Sequence, residues 1–156
     1  MKNRTDKNGS NNDDWETPEY ILDYIKKRFF NDEEYFDPCP LKSIFNGLDI
    51  EWGKNNYINP PYSRPLKEEF IKKAYKESLL GKKCVMLIPA NTDTAIFHDV
   101  ISRYGKVYLL KKRVKFKGIN TKGVYVTDKS GQGGSMIVIF DKNIEPSITT
   151  LHIREE

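Results

Sequence analysis

The chain is poor in the residues that bind metals or make crosslinks. It has two cysteines, Cys39 and Cys84, and two histidines, His98 and His152. A structural zinc needs four ligands at regular spacing, and these side chains show no such spacing, so no metal site is expected. Both cysteines lie in apolar segments and read as buried, reduced thiols. No apolar run approaches the roughly 18–20 residues that span a bilayer, so no membrane association is expected. The first residues, MKNRTDKNGSNNDD, lack the apolar stretch of a secretory leader, and a cytoplasmic protein is expected. There is no internal repeat and no sign of a second domain.

What is there fits one core. The chain has 156 residues, of which 31% are charged and 38% hydrophobic, with a net charge of +4 that mildly favours a polyanionic partner. Residues 1–14 are polar and read as a disordered tail, and 15–156 as one domain. Within that domain WETPEYILDYIKKRFF predicts a helix, with Thr17 as N-cap, Pro18 at the first turn and Ile21, Leu22, Ile25 and Phe29 facing inward. EYFDP and NYINPP read as short strands, and GLDIEW as a strand or a turn. RPLKEEFIKKAYKESLLG predicts an amphipathic helix stopped by Gly81. KKCVMLIPA has the continuous apolar character of a strand covered on both faces. A helix over TDTAIFHDVISRYG follows, and then KVYLL, GVYVT and SMIVIF as strands, the last two forming an antiparallel pair about SGQGG. Strands alternate with helices early and dominate late. The pattern predicts an α/β sheet, mostly parallel with an antiparallel edge strand.

In open parallel sheets, ligands bind beyond the carboxyl ends of the strands. Three predicted strands end in chemically loaded turns: Asp37-Pro38, Asn59-Pro60-Pro61-Tyr62 and Pro89-Ala90-Asn91. The middle one carries most information. Two prolines remove two backbone N–H donors, leaving carbonyl oxygens and the Asn59 amide as acceptors in fixed directions beside an aromatic ring. That arrangement fits a flat group bearing an NH₂. It also fits a rigid strand-to-helix turn with Tyr62 in the core. Further on, KKRVKFKGINTK holds Lys111, Lys112, Arg113, Lys115, Lys117 and Lys122 without an acid. This reads either as a solvated face or as a phosphate-contacting one. His98, inside a predicted helix, reads as structural.

Taken in order, WETP (15–18), FDPCP (36–40), GLDIEW (47–52), INPPYS (58–63), LIPANTDTAIFHD (87–99) and KRVKF (112–116) resemble the small phage-type DNA adenine-N6-methyltransferases. These are Dam-like members of the S-adenosylmethionine-dependent amino-methyltransferases. The resemblance implies a Rossmann-like methyltransferase sheet, reduced in size, in a protein encoded by a phage or mobile element. It implies methyl transfer from S-adenosylmethionine to adenine N6 in DNA, with the base flipped into a pocket made by Asn59, Pro60, Pro61 and Tyr62. Asn59 Oδ1 and the Pro60 carbonyl would accept the two amine hydrogens, and Tyr62 would stack on the base. Trp15, Thr17, Pro18, Asp37, Pro38, Asp49 and Pro89 would contact the cofactor. Lys111, Lys112, Arg113, Lys115 and Lys117 would contact DNA.

The chain departs from the larger methyltransferases at the cofactor loop. FDPCPLKSIFNG offers one glycine, Gly47, where a glycine-rich turn is usual, so no glycine is assigned to the cofactor. There is no room for a separate target-recognition domain. Asn-Pro-Pro-Tyr alone also occurs in enzymes that methylate RNA or protein glutamine. A catalytically inactive nucleic-acid-binding relative is the alternative of another class.

Overall fold

The computed structural model describes residues 15–120, 122–130 and 133–155, so the polar tail lies outside the described residues. In chain order the elements are β1 (Trp15–Glu16), α1 (Glu19–Phe30), β2 (Asn55–Ile58), α2 (Leu66–Leu79) and β3 (Lys83–Pro89). A π-wound turn, Phe97–Ile101, runs into α3 (Ser102–Tyr104). Then come β4 (Lys106–Leu110), β5 (Lys115–Ile119), β6 (Tyr125–Ser130), β7 (Ser135–Phe140) and β8 (Ser147–Leu151). They build a five-stranded sheet in the order β2-β3-β7-β4-β8 and a three-stranded sheet in the order β1-β5-β6.

The architecture is mixed α/β, and it corrects the expectation of an antiparallel edge. β7 lies in the middle of the large sheet, antiparallel to β3 on one side and to β4 on the other, while the outer ladders β2–β3 and β4–β8 are parallel. The reason is in the strand itself. All six residues of SMIVIF are buried. A strand apolar on both faces is stable inside a sheet, whereas at an edge it would present unpaired backbone beside exposed hydrophobic side chains. The predicted pairing across SGQGG is corrected as well. β6, whose YVTDKS carries charge, pairs with β5 in the small sheet instead of with β7.

Both faces of the large sheet are covered. Cys84, Met86 and Ile88 point to one face with Ile58, Val138 and Phe140, and Phe70, Ile71 and Ala74 of α2 pack there. Val85 and Leu87 point to the other with Tyr57, Ile137 and Ile139, where Ile21, Ile25, Phe29 and Phe30 of α1 meet Val114 and Phe116 of the small sheet's side. Successive residues of a strand alternate sides, which is why β3 reads as one unbroken apolar run. α1 begins on Pro18 with no side-chain cap, because the Thr17 hydroxyl is used elsewhere. Gly81, at φ 92°, ends α2 as expected, since that backbone conformation suits glycine.

Two short segments complete the strand ends. EYFDP reduces to a single parallel bridge, Phe36 to Asn56, in which Phe36 N–H donates to the Asn55 carbonyl (2.8 Å) and Tyr57 N–H donates to the Phe36 carbonyl (3.0 Å). GLDIEW is a turn rather than a strand. The Trp52 indole N–H donates to the Gly47 carbonyl (2.8 Å) and its ring stacks on Phe70.

Candidate active site

Asn59 is the first residue past β2, and β2 is gripped on both sides by Phe36 and β3. The strand therefore fixes where the amide stands. Asn59 Nδ2 donates to the Trp15 carbonyl at 3.2 Å. A carbonyl can only accept, so the amide nitrogen must face it and Oδ1 must face away. Oδ1 is buried and accepts no hydrogen bond from the described residues. Leaving such an acceptor unpaired costs about 1–3 kcal/mol. A ligand N–H arriving there recovers that energy.

Asn59 opens on a cleft of about 340 Å³. Six of the candidate site residues singled out in the sequence meet on its walls: Trp15, Thr17, Asp37, Asn59, Pro61 and Lys117. Thr17 is buried, and its hydroxyl shares a hydrogen bond with the buried Tyr57 hydroxyl. Burial holds the Tyr57 phenol well above its ordinary range, opposed by that Thr17 bond, so it stays protonated. Asp37 is half-buried at the end of the Phe36 bridge. Burial pushes its carboxyl up to about 6, although the Cys39 N–H donates to Oδ1 at 2.8 Å and works the other way. A partly desolvated carboxylate on a cleft wall is stabilised by an arriving cation. Tyr35, edge-on to Tyr57 at 5.9 Å, adds an aromatic wall. Acid, aromatic rings and an unpaired acceptor together suit a ligand with a cationic end and an amine to be held.

The remaining sequence candidates lie around this cleft. Pro60 is buried at the root of the loop. Pro38 is buried with its carbonyl against Gly47, where a Cβ would stand 2.0 Å from that oxygen. Tyr62 is half-buried and packs edge-on against Phe116 (6.2 Å, 84°). Pro18 caps α1 and lines the neighbouring groove. Asp49 is exposed in the turn after Asn46, outside the cleft lining. Pro89 ends β3 opposite Ser135 and does not reach the cleft either. His98 donates from Nε2 to the Thr92 carbonyl at 2.8 Å, a local structural bond.

The cationic residues share one place. Lys111, Lys112, Arg113, Lys115 and Lys117 line a wide groove of about 1000 Å³ with His152 and Arg154, and Glu19, Asp128 and Glu155 add acid to its lining. His152 and Arg154 were not legible as site residues. They arrive because β8 runs parallel to β4 and Lys111 N–H donates to the Leu151 carbonyl at 2.8 Å. Tyr35, Tyr57 and Cys39 were also missed in the cleft. For Tyr57 a signal existed, since it stands on β2 two residues before Asn59, which follows the strand's end. Glu19 and Lys117 line both cavities. Among the described residues no group of three or more His, Cys, Asp or Glu side chains could hold a metal ion. No helix among them is long and apolar enough to cross a membrane.

Comparison with known proteins places the chain. The family described as DNA N-6-adenine-methyltransferase (Dam) matches residues 4–155. A DNA N-6-adenine-methyltransferase of Haemophilus phage HP1 is 27% identical over 174 aligned positions, covering 100% of this chain and 97% of the phage protein. A DNA N-6-adenine-methyltransferase of Escherichia phage T1 is 32% identical over 54% of this chain and 39% of its own length. No solved structure matches.

Proposed function

We infer the chemistry from one premise: the chain belongs to the DNA N-6-adenine-methyltransferase (Dam) family, and is accordingly an adenine-N6-specific DNA methyltransferase. The finer reading is that it transfers a methyl group from S-adenosylmethionine to a flipped adenine held by the Asn59–Tyr62 turn. The observation that carries it is the Asn59 amide, pinned by Trp15 with its oxygen buried and unpaired beside the cleft that Asp37 also lines.

The cleft residues fit the cofactor. Asp37 would hold its cationic amine, and Trp15, Thr17 and Tyr35 would wall the rest. Pro38 would shape the floor. Pro18, Asp49 and Pro89 stand off the cleft lining; Pro18 would serve by fixing the backbone between Thr17 and Glu19, which line it, and Pro89 by shaping the end of β3. When bound, S-adenosylmethionine supplies an electrophilic methyl on a sulfonium, so no strong base is needed before the methyl moves.

The chain's own part is positioning. Adenine N6 is conjugated with its ring and is a poor nucleophile. Asn59 Oδ1 and the Pro60 carbonyl accept its two hydrogens and draw the nitrogen toward a tetrahedral geometry, which localises the lone pair. The prolines at 60 and 61 contribute by offering no competing N–H. Holding reactants in attack geometry and fixing dipoles where charge develops account for most of the rate. Tyr62, packed by Phe116, offers its ring to the base. The groove of Lys111, Lys112, Arg113, Lys115 and Lys117 binds phosphates without reading sequence.

Tritiated S-adenosylmethionine, purified protein and unmethylated DNA test this directly. Label recovered as N6-methyldeoxyadenosine is expected. Label in RNA or protein instead, or none in any acceptor, overturns it.

A further inference from the structure

An open edge strand is a template for pairing, and proteins blunt such edges with charge, proline, bulges, shortness or a cover. The other sheet edges are treated in this way. β2 is covered on its outer side by the Phe36 bridge. β1 is two residues long, and β6 carries Asp128 and Lys129. Among the described residues β8 is the exception. It is the outer strand of the large sheet, and SITTL holds no charge, proline or glycine. Its ladder with β4 runs through Ser147–Leu151 without a bulge. Ser147 to Thr150 are exposed, Ile148 by 51%.

The hydrogen bonds of β8 say which way its free groups point. Ser147 N–H donates to the Gly105 carbonyl at 3.3 Å, and the Leu151 carbonyl accepts from Lys111 N–H at 2.8 Å, so both residues face β4. Backbone groups alternate sides from one residue of a strand to the next. Ile148 and Thr150 therefore turn their N–H and C=O groups away from β4, to the open edge.

A second copy of the same strand fits that edge in one register. With the strands antiparallel and Thr149 on the two-fold axis, Ile148 of each copy lies opposite Thr150 of the other. Each such pair exchanges both its hydrogen bonds, so every outward group is used. An axis at Ile148 sets Thr150 against Pro146, which has no N–H. An axis at Thr150 sets Ile148 against His152, beyond the strand's end. Charge favours the same orientation. The start of β8 carries Asp141 and Glu145 with Lys106 and Lys142, and balances. Its end carries Arg154, Lys111 and Lys112 with Glu155, and is positive. Parallel pairing sets two positive ends together, whereas antiparallel pairing sets each against a balanced end that holds carboxylates.

We propose that β8 is a dimerisation edge: two copies of this chain pair antiparallel along Ser147–Leu151, with Thr149 on the two-fold axis, and join their large sheets into one. The Asn59 cleft follows β2, at the other edge of the sheet, so it stays open in each copy.

Sedimentation equilibrium of the full chain reads the mass. Wild type should approach twice its chain mass of 18.2 kDa. That should happen by about 100 µM, since a small interface binds weakly. Thr150→Pro removes an outward N–H and none of the bonds to β4. It should raise the dissociation constant at least about tenfold, with an unchanged melting temperature. A wild type that stays monomeric overturns the proposal and leaves the edge to a different protein. A dimer indifferent to Thr150→Pro overturns it as well, because another surface then holds the copies together. Crosslinking checks the register and does not depend on the proline variant folding. The background is Cys39→Ser, which leaves only the buried Cys84 thiol. In that background Thr149→Cys places two thiols across the axis, at a Cα separation of about 4.5 Å, within disulfide range. Ile148→Cys places them about 8 Å apart, out of range. Mild oxidation should therefore give a covalent dimer, seen on a non-reducing gel, with Thr149→Cys alone. Crosslinking of both variants to the same extent, or of neither, overturns the proposal.

Discussion

At the scale of single residues the site depends on two polar groups kept partly from water. Asn59 is the sharper of them. Asn59→Ala removes the acceptor and its anchor on Trp15 together, so transfer should fall by at least about two orders of magnitude, the scale seen when one transition-state hydrogen-bonding group is lost. Cofactor affinity, measured by calorimetry, should change little, because Asp37 and the ring walls remain. Asp37 gives the pH behaviour. Its carboxyl is raised to about 6 by burial, above the 3.8 of a free carboxyl. The proton is therefore held more tightly in the folded chain, and its stabilising effect is present below about pH 4 and lost as pH rises through about 6. Cofactor binding runs the opposite way, since a cationic amine needs the ionised carboxylate. Affinity should weaken as pH drops below about 6, and Asp37→Asn should weaken binding and flatten its pH profile between pH 5 and 7. A profile unchanged by the substitution would remove Asp37 from the cofactor site. Cys84, with its thiol pushed up to about 12 by burial, should resist alkylating agents in the folded chain.

At the scale of elements, the loop from Asp37 to Trp52 is held in shape by packing around a single glycine. Gly47 sits where a Cβ would be 2.0 Å from the Pro38 carbonyl and 3.2 Å from the Phe70 ring, so a methyl group has nowhere to go without moving backbone. Gly47→Ala should cost about 1–3 kcal/mol, as overpacking does. It should also weaken cofactor binding, because the displaced atoms adjoin Asp37. A denaturant midpoint and a binding isotherm from the same preparation measure both.

This loop also marks the limit of sequence reading. α1 and α2 were legible from the spacing of Ile21, Ile25 and Phe29 and of Phe70 and Ala74, and β3 from its apolar run. Asn59 was legible because two prolines after an asparagine are chemically costly at a plain turn. Long-range partners were not legible. Nothing local in Thr17 says that its hydroxyl prefers Tyr57, forty positions away, to the N-cap role its position suggests. Nor does SMIVIF reveal that it slides between β3 and β4; the pattern predicted an antiparallel edge, and the strand's lack of a polar face is the reason that expectation failed.

At the scale of the whole molecule, charge and topology act together. The parallel β4–β8 ladder brings the His152–Arg154 end beside Lys111 and turns a stretch of lysines into a groove with a second wall. Replacing Lys111, Lys112 and Arg113 with Ala should weaken DNA binding evenly across sequences. It should also reduce the slope of log affinity against log salt by up to about 0.9 for each phosphate contact removed. An unaltered slope would mean that the groove faces away from DNA.

The wall between the two cavities has a thermodynamic consequence of its own. Glu19 and Lys117 line both, and on the cleft side of them runs β1, hydrogen-bonded to β5 and, through the Trp15 carbonyl, to Asn59. Residues shared in this way belong to both chambers. Whatever fixes them from one chamber has already met part of the ordering cost for the other, and linkage requires the favour to be returned in equal measure. The factor by which a cofactor analogue tightens DNA binding should equal the factor by which DNA tightens the analogue, and titrating the two in either order would give a single number for the residues they share.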